Sequence, residues 1–443
     1  MNKDRLSRRD FLKVAGVTSA GLALSACGVK AIDMPVPKSI STSTALPSTA
    51  PSLSANTKTP EPTLTSTPHP PETIRDFADV LGIKIAIMLN TDKLGMPQYV
   101  ESAAKIGNQI MVTGDLFFKF IFSQFDFHKI LDNWADVQNQ IENGKIPFEK
   151  EILWNPWGRG EAGGLFKIAS QQNMDVVVDN LLWSEDIPES LYSANFTKDE
   201  LTKIAEYMLK AKMLRYKGKV TEWSVISESV ARNLWGDSKS AFWERRIGYP
   251  EIVYLAFKWA NEVDPGSQLN LIEDNILDAD TEDARQQAYR AFFKLFDNLK
   301  QNQVPIDGVS FENNFWVYAP PNAEKMLDTI NKVQSMGYKV GHAQTTVVLS
   351  DIFPIEPGRP RTVNVIDDKL LAQAKIYKDT FDVYAQTGSA FGYFGVYDGD
   401  SWFKVFGLSD IDAAPLILDE DFTPKPAYYA ILEVMKERYS QKT

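Results

Sequence analysis

"KVTEWSVISESV", residues 219–230, is an apolar run that ends on a carboxylate. Val220, Trp223, Val225 and Ile226 are too few for a helix and suit a buried strand. Glu228 stands where the apolar pattern stops. A carboxylate there is either a solvated strand end or a catalytic acid, and an acid of that kind needs a second carboxylate near it.

Seven further segments read as strands: 83–89, 109–114, 174–183, 268–274, 306–313, 339–349 and 389–398. Helical patterns separate them. One begins at Thr197, where "TKDE" is a capping box closed by Glu200, and continues through Leu201, Ile204, Met208 and Leu214. Others cover 251–263, 282–301, 322–337 and 426–439. Eight strands alternating with helices predict an α/β fold, a (β/α)8 TIM barrel, with a doubly wound open sheet as the alternative. In a barrel the chemistry gathers at the carboxyl ends of the strands. Those ends carry Asp115, Asp179, Glu228, Asp274, Glu312, Gln344 and Asp398.

Ahead of the barrel the sequence is of another kind. "SRRDFLK" (7–13) has the form of a twin-arginine export signal. The apolar run 14–26 is too short to span a bilayer and ends in "LSAC", a lipobox pattern at Cys27. Residues 28–72 are rich in Ser, Thr and Pro, with no apolar periodicity. They read as a tether reaching roughly 40 Å. The expected organisation is a lipoprotein signal over 1–27, the tether over 28–72 and the barrel over 73–443. The expected location is the cell envelope or surface of a bacterium, held at the membrane through the lipid alone.

Composition narrows the chemistry. Residues 1–26 carry five Lys/Arg and two Asp, a net of +3, so without them the charge of −11 becomes −14. That balance argues against nucleic acid and anionic lipid as partners. Cys27 is the single cysteine, which leaves no thiol nucleophile and no intrachain disulfide. The three histidines, His69, His128 and His342, show no metal-ligand spacing, so no metal is expected. "GRGEAG" (158–163) fits a dinucleotide fingerprint by letter, but "NPW" stands where a strand should precede it. It reads as a loop and turn, and no cofactor is expected. A monomer is expected.

The chain resembles glycoside hydrolase family 10, the endo-β-1,4-xylanases, over residues 74–440. "VTGDLFFKF" (112–120) is similar to the family's V-T-P-E-N-E-M-K-W, and "MDVVVDNLLWSEDIPESL" (174–191) to G-H-T-L-V-W-H…P. "WSVISE" (223–228) is similar to W-D-V-V-N-E, and "IDGVSFENN" (306–314) to I-D-G-I-G-x-Q-x-H. "FGYFGVYDGDSW" (391–402) and "LDEDFTPKPAYYAI" (418–431) match the family's last strand and ending. The resemblance implies a retaining hydrolase of xylan-type polysaccharide. Its two glutamates would lie about 5–5.5 Å apart, with Glu228 at the acid/base position.

Around the expected reaction centre the sequence departs from that pattern. Set without gaps on G-L-P-I-x-I-T-E-L-D, "GYKVGHAQTT" (337–346) puts Gln344 at the nucleophile position. An amide has nearly the shape of the carboxylate but neither its charge nor its nucleophilicity. Asp179 stands for the third-strand His, Ser227 for the Asn before the acid/base, and Glu312 and Asn314 for the sixth-strand Gln and His. Phe394 stands for the eighth-strand Trp, and Asp115 for the second-strand Glu. Lys119, Trp183, Trp223, Glu228, Asp398 and Trp402 are retained. The resemblance makes Lys119, Asp115, Asp179, Trp183, Ser227, Asn314, Phe394 and Trp402 the expected sugar-binding set, with Tyr397 as a further aromatic platform.

Three readings are compatible with these residues. One is a xylanase-like hydrolase in which Glu228 works with a relocated carboxylate, Glu312 first and Asp179 second. Another is a catalytically silent, surface-tethered carbohydrate-binding protein. The third is a partner-binding lipoprotein without a glycan role, against which the retained Lys119 and Trp402 stand.

Overall fold

The structure is a computed structural model that describes residues 70–156, 161–274, 276–277, 284–349, 367–401 and 413–442. The signal, the tether, Cys27 and Trp402 lie outside the described residues.

The strands are β1 (Ile85–Met88), β2 (Gln109–Val112), β3 (Asp175–Leu182), β4 (Glu222–Ser227), β5 (Gln268–Asp274), β6 (Gly308–Trp316), β7 (Lys339–Val340), β8 (Gln344–Val348) and β9 (Phe391–Tyr393). They pair in parallel from β1 through β6. β7 and β8 both pair with β6, β8 pairs with β9, and β9 returns to β1. The sheet closes into a barrel of eight parallel strands, the expected (β/α)8 architecture. The capping box at Thr197 is present and starts the helix Lys198–Tyr216. The expected helices at 251–263, 282–301, 322–337 and 426–439 appear as Glu251–Val263, Ala284–Gln301, Ala323–Ser335 and Pro426–Lys442. A further helix, Asp367–Thr387, fills the space before β9.

One strand differs from expectation. The segment read as continuous over 339–349 is broken between β7 and β8. Val309 faces Val340, but three residues later Glu312 faces Gln344, so the seventh strand carries one extra residue. This bulge at 341–343 has a cause in the neighbouring strands. Gly341 lies against Asn270, Glu222 and Ser310, and a Cβ there would come within 2.5 Å of Glu222 Oε1 and 2.8 Å of Ser310 Oγ. Register shifts also occur between Asp179 and Leu182 and between Ser224 and Ile226. Such bulges re-aim side chains at strand ends.

The main core lies between the strands and the surrounding helices. A small separate cluster, Ala86, Met111 and Val177 with Met88 and Phe394 packed on it, belongs to β1–β3 and the end of β9. Opposite it, β4–β7 contribute buried polar groups: Glu222, Asn270, Ser310 and His342.

Candidate active site

Glu228 follows β4 immediately. Its backbone is left-handed (φ 55°), and it serves as the cap residue of the helix Ser229–Trp235. A non-glycine residue in that region costs about 1–2 kcal/mol. Two bonds hold it there, Glu228 N–H to Ile272 O at 2.8 Å and Arg232 N–H to Glu228 O at 2.8 Å. Behind the turn, buried Glu273 accepts from Val230 N–H at 2.8 Å and Ser229 Oγ at 3.2 Å, which fixes the start of the helix. Arg232, one turn after Glu228, pairs with its carboxylate and also with Glu185 at 2.5 Å.

Asp274, Glu312 and Gln344 form one row across β5, β6 and β8. Gln344 Nε2 donates to Asp179 Oδ2, which ties the seventh strand to β3. The row and Glu228 thus share the mouth with Asp179. Burial pushes the Glu228 carboxyl up to about 7; the Arg232 guanidinium pulls against this, and the charges of Asp274 and Glu185 add to it. Glu312 is held well above the carboxylate range, by burial first and then by Glu228, Asp274 and Asp179. The charge of Glu228 raises the affinity of Glu312 for a proton, so the protons at the mouth belong to the group of carboxyls rather than to either glutamate alone. Asp179 is raised by burial, while the His342 imidazole, the neighbouring Ser224 hydroxyl and the Lys212 ammonium pull it back.

A second group lies beside this one. The Lys119 ammonium sits over the rings of Phe117 (4.9 Å), Phe120 (5.5 Å) and Trp183 (6.0 Å). Its loop is held by buried Asp186, which accepts from Phe118 N–H at 2.6 Å and Lys119 N–H at 3.0 Å. Asp115 accepts from Thr91 Oγ1 at 3.0 Å and abuts Gly163, so the turn Glu161–Gly164 reaches this mouth. Upstream, Pro147 and Glu149 contact the helix Lys198–Tyr216 through Tyr207 Oη to Pro147 O at 2.5 Å and Arg215 to Glu149 at 2.7 Å.

Other expected residues are already engaged. Asn314 accepts from Thr346 Oγ1 at 2.6 Å, and Phe394 covers the small apolar cluster. Tyr397 stacks on Phe422 at 4.3 Å. Asp398 is occupied by Lys425 at 3.0 Å and Leu416 N–H at 2.8 Å, so it closes the C-terminal segment and is not part of the acidic row. Three buried polar atoms at the mouth have no hydrogen-bond partner among the described residues: Asp179 Oδ1, Ser227 Oγ and Trp183 Nε1.

Sequence reading missed Arg232 and Lys212. Both had a signal: Arg232 stands four residues after Glu228, and Lys212 continues the apolar row Ile204–Met208 of its helix. Lys212 is fully buried, donates to Asn180 O at 2.7 Å and is lowered to about 8 by desolvation.

The family model for Glycosyl hydrolase family 10 matches residues 149–434. The chain belongs to that family. It is 27% identical over 283 residues to a beta-1,4-xylanase of Dictyoglomus thermophilum, spanning 62% of this chain and 75% of that protein. It is 27% identical over 282 residues to endo-1,4-beta-xylanase B of Thermotoga neapolitana, spanning 62% of this chain and 74% of that protein. Among solved structures, native xylanase 10B of Thermotoga maritima superposes with a TM-score of 0.65 at 22% identity, covering 84% of this chain and all of the other. Xylanase 10B of Thermotoga petrophila in complex with xylobiose gives 0.63 at 22% identity, over 83% of this chain and 98% of the other. A twin-arginine translocation signal matches residues 5–25, which marks the chain for export.

Proposed function

We propose that this exported family 10 protein hydrolyses β-1,4-linked xylan-type polysaccharide with Glu228 as acid/base and Glu312 as the second carboxylate, in place of the amide at Gln344. The observation that carries the reading is that Glu228 and Glu312 both hold protons above the carboxylate range at the barrel mouth, with the charge of Glu228 acting on Glu312. Over a range of pH such a pair holds one proton between two carboxylates. One carboxyl group can protonate the leaving glycosidic oxygen while the other, ionised, takes a proton from an attacking water. Charge from Arg232 and Asp274 tunes the pair without replacing either member.

The unpartnered buried atoms support a ligand rich in hydroxyls. A buried polar atom left unpaired costs about 1–3 kcal/mol, and a sugar hydroxyl at Asp179 Oδ1, Ser227 Oγ or Trp183 Nε1 would recover it. The half-buried ring of Trp183 offers a face to the C–H side of a pyranose. Trp402 is proposed as a second platform, on the sequence match alone. The relatives named as xylanases support a xylan-type chain over other glycans.

One observation favours a second reading, a surface-tethered carbohydrate binder without turnover. The Gln344 amide is committed to Asp179, so the seventh strand presents no charge to an oxocarbenium-like centre. Incubating the protein with xylo-oligosaccharides and following the anomeric protons of the first product by NMR separates the two. Direct release of the α-anomer supports the water-activated pair, and binding without any product supports the second reading. Lipid attachment at Cys27 and a monomeric state are proposed on the sequence alone.

A further inference from the structure

Beneath the mouth, inside the barrel, lies a set of polar groups with no part in the pair described above. Glu222 opens β4, Asn270 lies on β5, Ser310 on β6, and His342 in the bulge of the seventh strand. All are buried. Glu222 Oε1 receives His342 Nδ1 at 2.6 Å, Asn270 Nδ2 at 2.7 Å, Ser310 Oγ at 3.3 Å and the His342 backbone N–H at 3.4 Å. An oxygen facing that many donors is an ionised carboxylate, and Glu222 is lowered despite burial, with His342 the chief opposing influence. His342 in turn is raised by the charge and hydrogen bond of Glu222 and by Asp179, against its own desolvation.

Two contacts bracket the cluster: Glu222 holds His342 Nδ1, and Asp179 accepts from Gln344. The charge of His342 acts on Asp179 between them without a hydrogen bond, since His342 Nε2 has no partner among the described residues. The bulge makes this possible, because Gly341 has no side chain to displace the Glu222 carboxylate and the extra residue lets His342 turn to it. The charged and titratable groups facing Asp179 are His342 from the bulge, Lys212 from the helix Lys198–Tyr216, Glu222 from β4 and Glu312 from β6.

We propose that the Glu222–His342 ion pair is a positioning device. Its imidazolium keeps Asp179 ionised, Asp179 locks the Gln344 amide, and proton exchange at the mouth is confined to Glu228 and Glu312. The inference rests on the proposed catalytic pair for its kinetic consequence only. The ion pair and the lock on Gln344 are properties of the folded protein whether or not it turns over substrate.

The test uses the whole chain, labelled with ¹⁵N in histidine and glutamine. In the wild type both ring nitrogens of His342 carry protons at pH 7, and the Gln344 side-chain NH₂ resonances move between pH 6 and 8 only with the ionisation of the Glu228–Glu312 pair. In His342→Gln, Asp179 takes up a proton at higher pH than in the wild type, and the Gln344 resonances follow that uptake. A merely structural histidine would lower the unfolding temperature without this titration. In the same variant the alkaline limb of turnover moves to lower pH with KM little changed, because Glu312 loses a negative neighbour and gives up its proton earlier. A neutral His342 ring at pH 7 in the wild type would overturn the proposal, and that measurement stands even if the variant does not fold. Gln344 resonances with the same pH dependence in His342→Gln as in the wild type would overturn it too, leaving Lys212 sufficient to hold Asp179. Absent turnover in the wild type, with both NMR results as expected, would count against the catalytic pair and not against the ion pair.

Discussion

Replacing Gln344 with glutamate probes the mouth most sharply, because it restores a carboxylate where the family pattern has one. The structure sets the consequence. Gln344 is buried and donates to Asp179, so the substitution removes a donor and places a second carboxyl group against the first. Where the new carboxyl is ionised, the lost hydrogen bond costs about 1 kcal/mol; where it is protonated, its O–H replaces the amide as donor. Two ionised carboxylates about 4 Å apart repel by about 4 kcal/mol at an effective dielectric constant of about 20. The folded protein avoids that repulsion by keeping a proton on the pair, so the new carboxyl's folded pKa lies above its unfolded value of about 4.3. The sign follows. Near pH 4–5 the proton is bound in both states or readily retained, the carboxyl O–H donates to Asp179, and Gln344→Glu costs little. As pH rises the unfolded chain ionises freely and the folded one does not, so the destabilisation grows toward roughly 4–5 kcal/mol at alkaline pH. Urea unfolding of wild type and variant at pH 5 and pH 8 measures the difference directly. A destabilisation equal at the two pH values would refute the placement of position 344 against Asp179.

Three further outcomes follow from the same geometry. Turnover depends on a pair holding one proton, so kcat should rise as pH rises through about 7, where the pair loses its first proton, and fall at higher pH where the second leaves; a rate that only falls through pH 7 would mean Glu228 acts as a lone general acid. Gly341→Ala forces a methyl group among Asn270, Glu222 and Ser310 and should lower stability by about 1–3 kcal/mol in denaturant titration, whereas an unchanged midpoint would show that the bulge has room to spare. Cys27→Ser should move the protein from the membrane fraction to the soluble fraction of cells, and retention at the membrane would place the anchor elsewhere.

How much of this was legible in the sequence depends on how far apart the interacting residues stand in the chain. The Thr197–Glu200 box is a four-residue signal with one backbone solution, and it forms as written. Glu228 is marked by the end of an apolar run, again a local feature. Arg232 and Lys212 had local signals of spacing and were overlooked because a charged side chain reads first as a solvated one. Glu222 and His342 are different. Each looks like an isolated polar residue in a strand, and only barrel closure brings residues 120 positions apart to 2.6 Å. The bulge follows from that cluster and from the neighbours of Gly341 on three other strands, so no window along the chain contains its cause. Asp398 shows the reverse case. Its place at the end of a strand suggested the mouth, but Lys425, 27 residues onward, captures it.

Turnover of xylo-oligosaccharides by the wild type beside Glu312→Gln tests the central claim, that a relocated carboxylate works with Glu228. The account predicts a wild type that hydrolyses the substrate and a Glu312→Gln variant that is folded, binds the same oligosaccharide and is slower by about 10²–10⁴-fold, the usual contribution of a positioned acid or base. A wild type that binds without hydrolysis, or a Glu312→Gln variant with wild-type turnover, would contradict it.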